Sequence, residues 1–139
     1  MKYRNKLGLE IRPLRWAPPA KGGRKYTVQG SKASEYEWNF AWALEKVGLE
    51  FVFQVDYLGG RRLKGGMVVD FLVKTAPLAT PCWINGDYWH NPKTWAQDKL
   101  KQAILYQMTS SECNMAKTFW GKDVETKEAA LTAVRRELL

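Results

Sequence analysis

The chain has 139 residues, 45% of them apolar and 13% aromatic, which suits one domain with one packed core. No apolar run approaches the roughly 18 residues needed to span a bilayer, and the N-terminus lacks the apolar stretch of a secretory signal. A cytoplasmic protein with no membrane partner is therefore expected.

The first 34 residues carry the whole charge excess. The formal net charge is +8, and this segment holds nine cations (Lys2, Arg4, Lys6, Arg12, Arg15, Lys21, Arg24, Lys25 and Lys32) against one acid, Glu10. The rest of the chain is balanced. With Tyr3, Trp16 and Tyr26 interleaved, residues 1–30 read as an extended basic arm with one short strand, of a kind used to grip polyanions. A solubilising tail is the plainer reading.

Ser34-Glu35-Tyr36-Glu37 has the form of a capping box, which predicts a helix capped by Ser34, running to about Lys46 and stopped by Gly48. Tyr36, Phe40, Ala43, Leu44 and Val47 recur at helical spacing. Strands are expected at Phe51 to Tyr57, Met67 to Val73 and Cys82 to Asn85, with Gly59-Gly60-Arg61-Arg62 as a turn. An amphipathic helix is expected over Trp95 to Met108, with Ala96, Leu100, Ala103, Ile104 and Met108 on one side. A strand at Met115 to Trp120 and a helix at Thr126 to Leu138 close the chain, the latter with Ala130, Leu131, Val134 and Leu138 inward. The order is helix, three strands, helix, strand, helix: an α/β fold with a central mixed sheet flanked by helices.

Three features carry chemistry. Asp70 lies inside an apolar strand, where a carboxylate costs several kcal/mol, roughly, unless it is paired or binds a metal. Trp83-Ile84-Asn85-Gly86-Asp87-Tyr88-Trp89-His90 ends a strand at a glycine and then presents an aromatic and polar tip, the kind of place where functional residues concentrate. His90 is the sole histidine. Asp98 falls in the first turn of the next helix, where acids are favoured by the helix dipole in any case. Cys82 and Cys113 are the only cysteines. With one histidine they are too few and too widely spaced for a tetrahedral zinc site, so no zinc is expected, nor a disulfide in a reducing compartment.

Taken together, a helix with Glu35, a strand with Asp70, the segment Cys82 to His90 and a helix with Asp98 resemble the very short patch repair endonucleases and the related EDxHD homing endonucleases. These are members of the PD-(D/E)xK nuclease superfamily. The Gly86-Asp87-Tyr88-Trp89-His90 element is the most specific piece, and the resemblance covers residues 30–139. It implies a restriction-endonuclease-like core and a catalytic set of Glu35, Asp70, His90 and Asp98. In that set Asp70 is the central metal ligand, Glu35 completes or orients the metal shell, and the Ile84 backbone carbonyl is a further ligand. His90 is the general base and Asp98 fixes its tautomer. Trp83 stands where the wider superfamily has its second acid, and the motif lysine, which would fall near Asn85, is missing. The short patch repair enzymes carry a structural zinc that this chain cannot build, and homing relatives carry extra recognition domains.

The expectation is a Mg²⁺-dependent endonuclease or nickase (Mn²⁺ also serving) acting on duplex, nicked or branched DNA. The contacts to DNA are expected from Lys2, Arg4, Lys6, Arg12, Arg15, Lys21, Arg24, Lys25, Arg61 and Arg62. Cutting both strands would take a homodimer. The alternative is a nuclease fold that binds DNA and has lost its chemistry.

Overall fold

The computed structural model describes residues 3–4, 10–11, 26–57, 67–85 and 92–139. Two short pairs of strands come first: β1 (Tyr3–Arg4) with β2 (Glu10–Ile11), and β3 (Tyr26–Val28) with β4 (Ser31–Ala33). Helix α1 (Glu35–Lys46) follows. Next come β5 (Phe51–Tyr57), β6 (Met67–Val73), β7 (Thr80–Asn85), α2 (Pro92–Thr109), β8 (Lys117–Trp120), a single turn α3 (Gly121–Val124) and α4 (Lys127–Leu138). The protein is thus a mixed α/β fold around a four-stranded sheet of order β5-β6-β7-β8, antiparallel except for the parallel β7–β8 pair.

Local chemistry sets the element ends. The Ser34 hydroxyl accepts from the Glu37 amide at 3.1 Å, and the Glu37 carboxylate accepts from the Ser34 amide at 2.9 Å. This is the expected reciprocal box that starts α1. At the other end Gly48 takes φ +80°, a left-handed turn that glycine enters without strain. Thr126 caps α4 by accepting from the Ala129 amide at 3.0 Å.

The main core lies between one face of the sheet and helices α1 and α4. Phe71 is its hub, with ring centroids 4.9 Å from Phe40, 5.5 Å from Phe51 and 5.0 Å from Phe53, while Phe119 lies tilted against Phe40 at 4.7 Å. Such tilted pairs each add about 0.5–1.5 kcal/mol beyond area burial. Asn39 is buried in this core and is satisfied by donating to the Val124 carbonyl at 2.9 Å. Val28, which the sequence places in the arm, is also fully buried here. The β3–β4 turn residue Gln29 lays its amide against β5, donating to the Phe51 carbonyl at 2.7 Å and accepting from the Phe53 amide at 2.9 Å. It occupies backbone groups that an edge strand would otherwise present for pairing.

Helix α2 forms as expected, but its apolar row points outward. Leu100 is 62% exposed, Met108 49% and Ile104 38%, and Ala96 and Ala103 are exposed with them, whereas Leu105 is 1% exposed. Helical spacing identifies residues that share a face, not the direction of that face. The direction here follows what α2 meets. Leu105 seats against Met67 and Val69, and Gln102 donates to the Thr118 hydroxyl at 2.7 Å. The inward face is therefore narrow and partly polar.

Candidate active site

Asp70 sits where the sheet changes its pattern. The β5–β6 register runs Phe51↔Val73, Val52↔Leu72 and Phe53↔Phe71, and resumes at Val55↔Val69. The rung between them, Gln54 with Asp70, is missing from the ladder. On the other side, the β6–β7 ladder runs from Val73↔Thr80 to Phe71↔Cys82 and stops there. Gln54 has φ +57°, a left-handed conformation uncommon for a residue with a side chain.

The core shows the consequence. Residues two apart on a regular strand share a face. Yet Phe51, Phe53, Phe71 and Val73 lie in the core under α1, while Val55 packs with Leu72 and Cys113, and Met67 and Val69 pack with Leu105. Both strands exchange faces at the Gln54–Asp70 rung. Strand β7 alternates without interruption, with Cys82 and Ile84 toward α1 and Trp83 toward Leu105.

At this break, side chains take over from backbone rungs. One Asp70 carboxylate oxygen accepts from the Ile84 amide at 2.8 Å. The Trp83 indole donates to the Val68 carbonyl at 2.9 Å. A half-buried carboxylate thus lies at the junction of the two middle strands, held by a charge-assisted hydrogen bond to the neighbouring backbone. Its charge is felt by the fully buried Cys82 thiol. Burial, above all, pushes that thiol well above the usual range, the Asp70 charge adds to the rise, and Lys117 opposes it. Cys82 is therefore a packed apolar group rather than a nucleophile.

Beside the break, on the α2 side, a cleft of about 170 Å³ is lined by Met67, Val68, Trp83, Asn85, Lys101, Gln102 and Thr118. It collects three uncharged polar side chains and one cation from three elements. Sequence reading placed Lys101 and Gln102 near Asp98 on the helix but gave them no role, and it missed Thr118, because the three come together only when α2 and β8 fold over β7.

The expected site residues fare unequally. Asp70 and Ile84 are brought together, through the Ile84 N–H; the role expected of Ile84 involved its carbonyl. Glu35 is the first residue of α1 and is exposed, while its neighbour Glu37 is committed to the capping box. That division leaves Glu35 as the acid of this turn with no capping duty. Trp83 latches β7 to β6 through its indole. His90, Arg61, Arg62, Lys2, Lys6, Arg12, Arg15, Lys21, Arg24 and Lys25 lie outside the described residues, and so do the side chains of Asp98 and Arg4. Among the described residues no three His, Cys, Asp or Glu side chains gather into a metal-holding group, and no helix is long and apolar enough to cross a membrane.

No protein-family model, curated protein or solved structure matches this chain.

Proposed function

We propose that the protein is a Mg²⁺-dependent DNA endonuclease or nickase of the PD-(D/E)xK type, with a restriction-endonuclease-like core and a site centred on Asp70. The observation that carries this reading is the half-buried Asp70 carboxylate at a break between the two middle strands, bonded to the Ile84 amide. A carboxylate held at a break in the strand pairing is suited to serve a hard cation. In this reading Asp70, Glu35 and the Ile84 backbone carbonyl would supply oxygen, the donor that Mg²⁺ and Mn²⁺ prefer. When bound, the cation would neutralise charge on the phosphate and favour ionisation of a water.

The chain's own residues supply the rest. Asp70 is anchored by the Ile84 amide, which fixes the carboxylate before substrate arrives. His90 lies five residues beyond Asn85, the end of β7, and an imidazole is the side chain suited to take a proton from water near neutral pH. Asp98, on α2, would hold that imidazole in one tautomer. Lys101 places a cation at the lip of the adjoining cleft, where an anionic backbone would pass. The basic arm and Arg61 and Arg62 bind phosphates and supply most of the affinity. One such site cuts one strand, and cutting both requires two copies.

A second reading has one observation in its favour. Trp83 occupies the second acid position and is used as a strand latch, as a DNA-binding module without chemistry would allow. The test is cleavage of supercoiled plasmid, linear duplex and a four-way junction, with Mg²⁺ and with EDTA, by wild type and His90→Ala. Metal-dependent cutting by wild type and at least a hundredfold loss in the variant, about the scale of a removed general base, is expected. Salt-sensitive binding to all three substrates with no cutting in Mg²⁺ or Mn²⁺ would establish the second reading instead.

A further inference from the structure

A left-handed residue in the middle of a strand is held there only by its surroundings, and such positions collect at functional sites. Gln54 is one of two residues other than glycine with positive φ among those described; the other, Gln29, is in the β3–β4 turn. Gln54 stands opposite Asp70 at the missing rung. Glycine would adopt φ +57° without strain, and asparagine more readily than glutamine.

We infer that Gln54 is the positioning residue for the Asp70 carboxylate, acting through its backbone conformation. The inference rests on the reading of Asp70 as the centre of the site. In a regular antiparallel pair the side chain at position 70 would stand perpendicular to the sheet, on one face or the other. The turn at Gln54 lets Val55 and Val69 leave the face used by Phe53 and Phe71. Asp70 is at the changeover on β6, and there its carboxylate reaches sideways to the Ile84 amide of β7. Removing the left-handed turn returns β5 to regular alternation, restores the drive for a 54–70 rung, and withdraws the carboxylate from Ile84.

The test uses the full chain with Gln54→Gly, Gln54→Val and Asp70→Ala, read by amide hydrogen exchange. Exchange at Ile84 reports the Asp70 bond, and exchange at Phe40 and Phe119 reports the fold. Gln54→Gly keeps Ile84 protected, with Tm equal to or above wild type, because glycine takes the turn freely. Gln54→Val resists the turn and speeds Ile84 exchange about tenfold, toward the Asp70→Ala rate, while Phe40 and Phe119 stay protected. In the cleavage assay Gln54→Val lowers kcat with little change in KM, and Gln54→Gly behaves as wild type. A folded Gln54→Val protein with Ile84 still protected would overturn the inference. So would loss of Ile84 protection or a lowered Tm in Gln54→Gly, the result expected of glycine in an ordinary strand. If Gln54→Val does not fold, the glycine variant decides alone. Absence of cleavage in every protein, wild type included, would remove the nuclease reading and leave the exchange result to judge Gln54.

Discussion

The Asp70 carboxylate does a backbone group's work, closing the gap between β6 and β7 by accepting from the Ile84 amide. That sets two substitutions apart. Asparagine keeps an acceptor oxygen in nearly the same place, whereas alanine leaves a half-buried N–H without this partner, which costs about 1–3 kcal/mol. Asp70→Asn is therefore expected to unfold in denaturant close to wild type, and Asp70→Ala to lose that amount. Equal stabilities for the two variants would mean that the bond carries no weight. The sequence marked Asp70 as unusual because a carboxylate stood out in the apolar run Met67 to Val73. It did not mark Gln54. A left-handed strand residue is foreseeable mainly when it is glycine or asparagine, and Gln54 is neither.

Among the elements, those with local signals were legible. The capping box of α1, its glycine stop, and the bounds Phe51–Tyr57 and Met67–Val73 follow from composition and spacing alone. Strand β7 begins at Thr80, two residues before the expected Cys82, because Thr80 and Pro81 pair with Val73 and Leu72. No nearby residue signals that pairing. Helix α2 shows the limit more clearly. Its row of Ala96, Leu100, Ile104 and Met108 is as periodic as any core stripe, yet Leu105 on another side is the buried anchor. Accordingly Leu105→Ala is expected to destabilise by about 2–5 kcal/mol, the range for emptying a packed leucine site. Leu100→Ala should stay within about 0.5 kcal/mol of wild type. Urea unfolding of both variants checks this, and the reverse ranking would place the apolar row against the sheet after all. The part of the proposed site that the sequence marked best, Gly86 to His90, depends on a motif rather than on periodicity.

At the scale of the molecule, charge and chemistry are divided along the chain. The first 34 residues hold the net positive excess, and the balanced remainder holds Asp70 and most of the core. Each phosphate contact releases condensed counterions, so affinity for duplex falls with salt in proportion to the number of contacts. Deleting residues 1–25 is expected to flatten the dependence of log Kd on log salt and to weaken binding, with the β3–β4 hairpin and the core retained. An unchanged slope would make the arm a tail without a binding role.

The central claim is that Asp70 serves metal-dependent strand cleavage. Its most direct test compares wild type with Asp70→Asn, both shown folded, on supercoiled plasmid across a Mg²⁺ titration and in EDTA. Nicking by wild type is expected to rise with Mg²⁺ and vanish in EDTA, with a loss of at least a hundredfold in Asp70→Asn, roughly the scale of removing a catalytic charge interaction. Cleavage by Asp70→Asn at the wild-type rate and with the same Mg²⁺ dependence would contradict it.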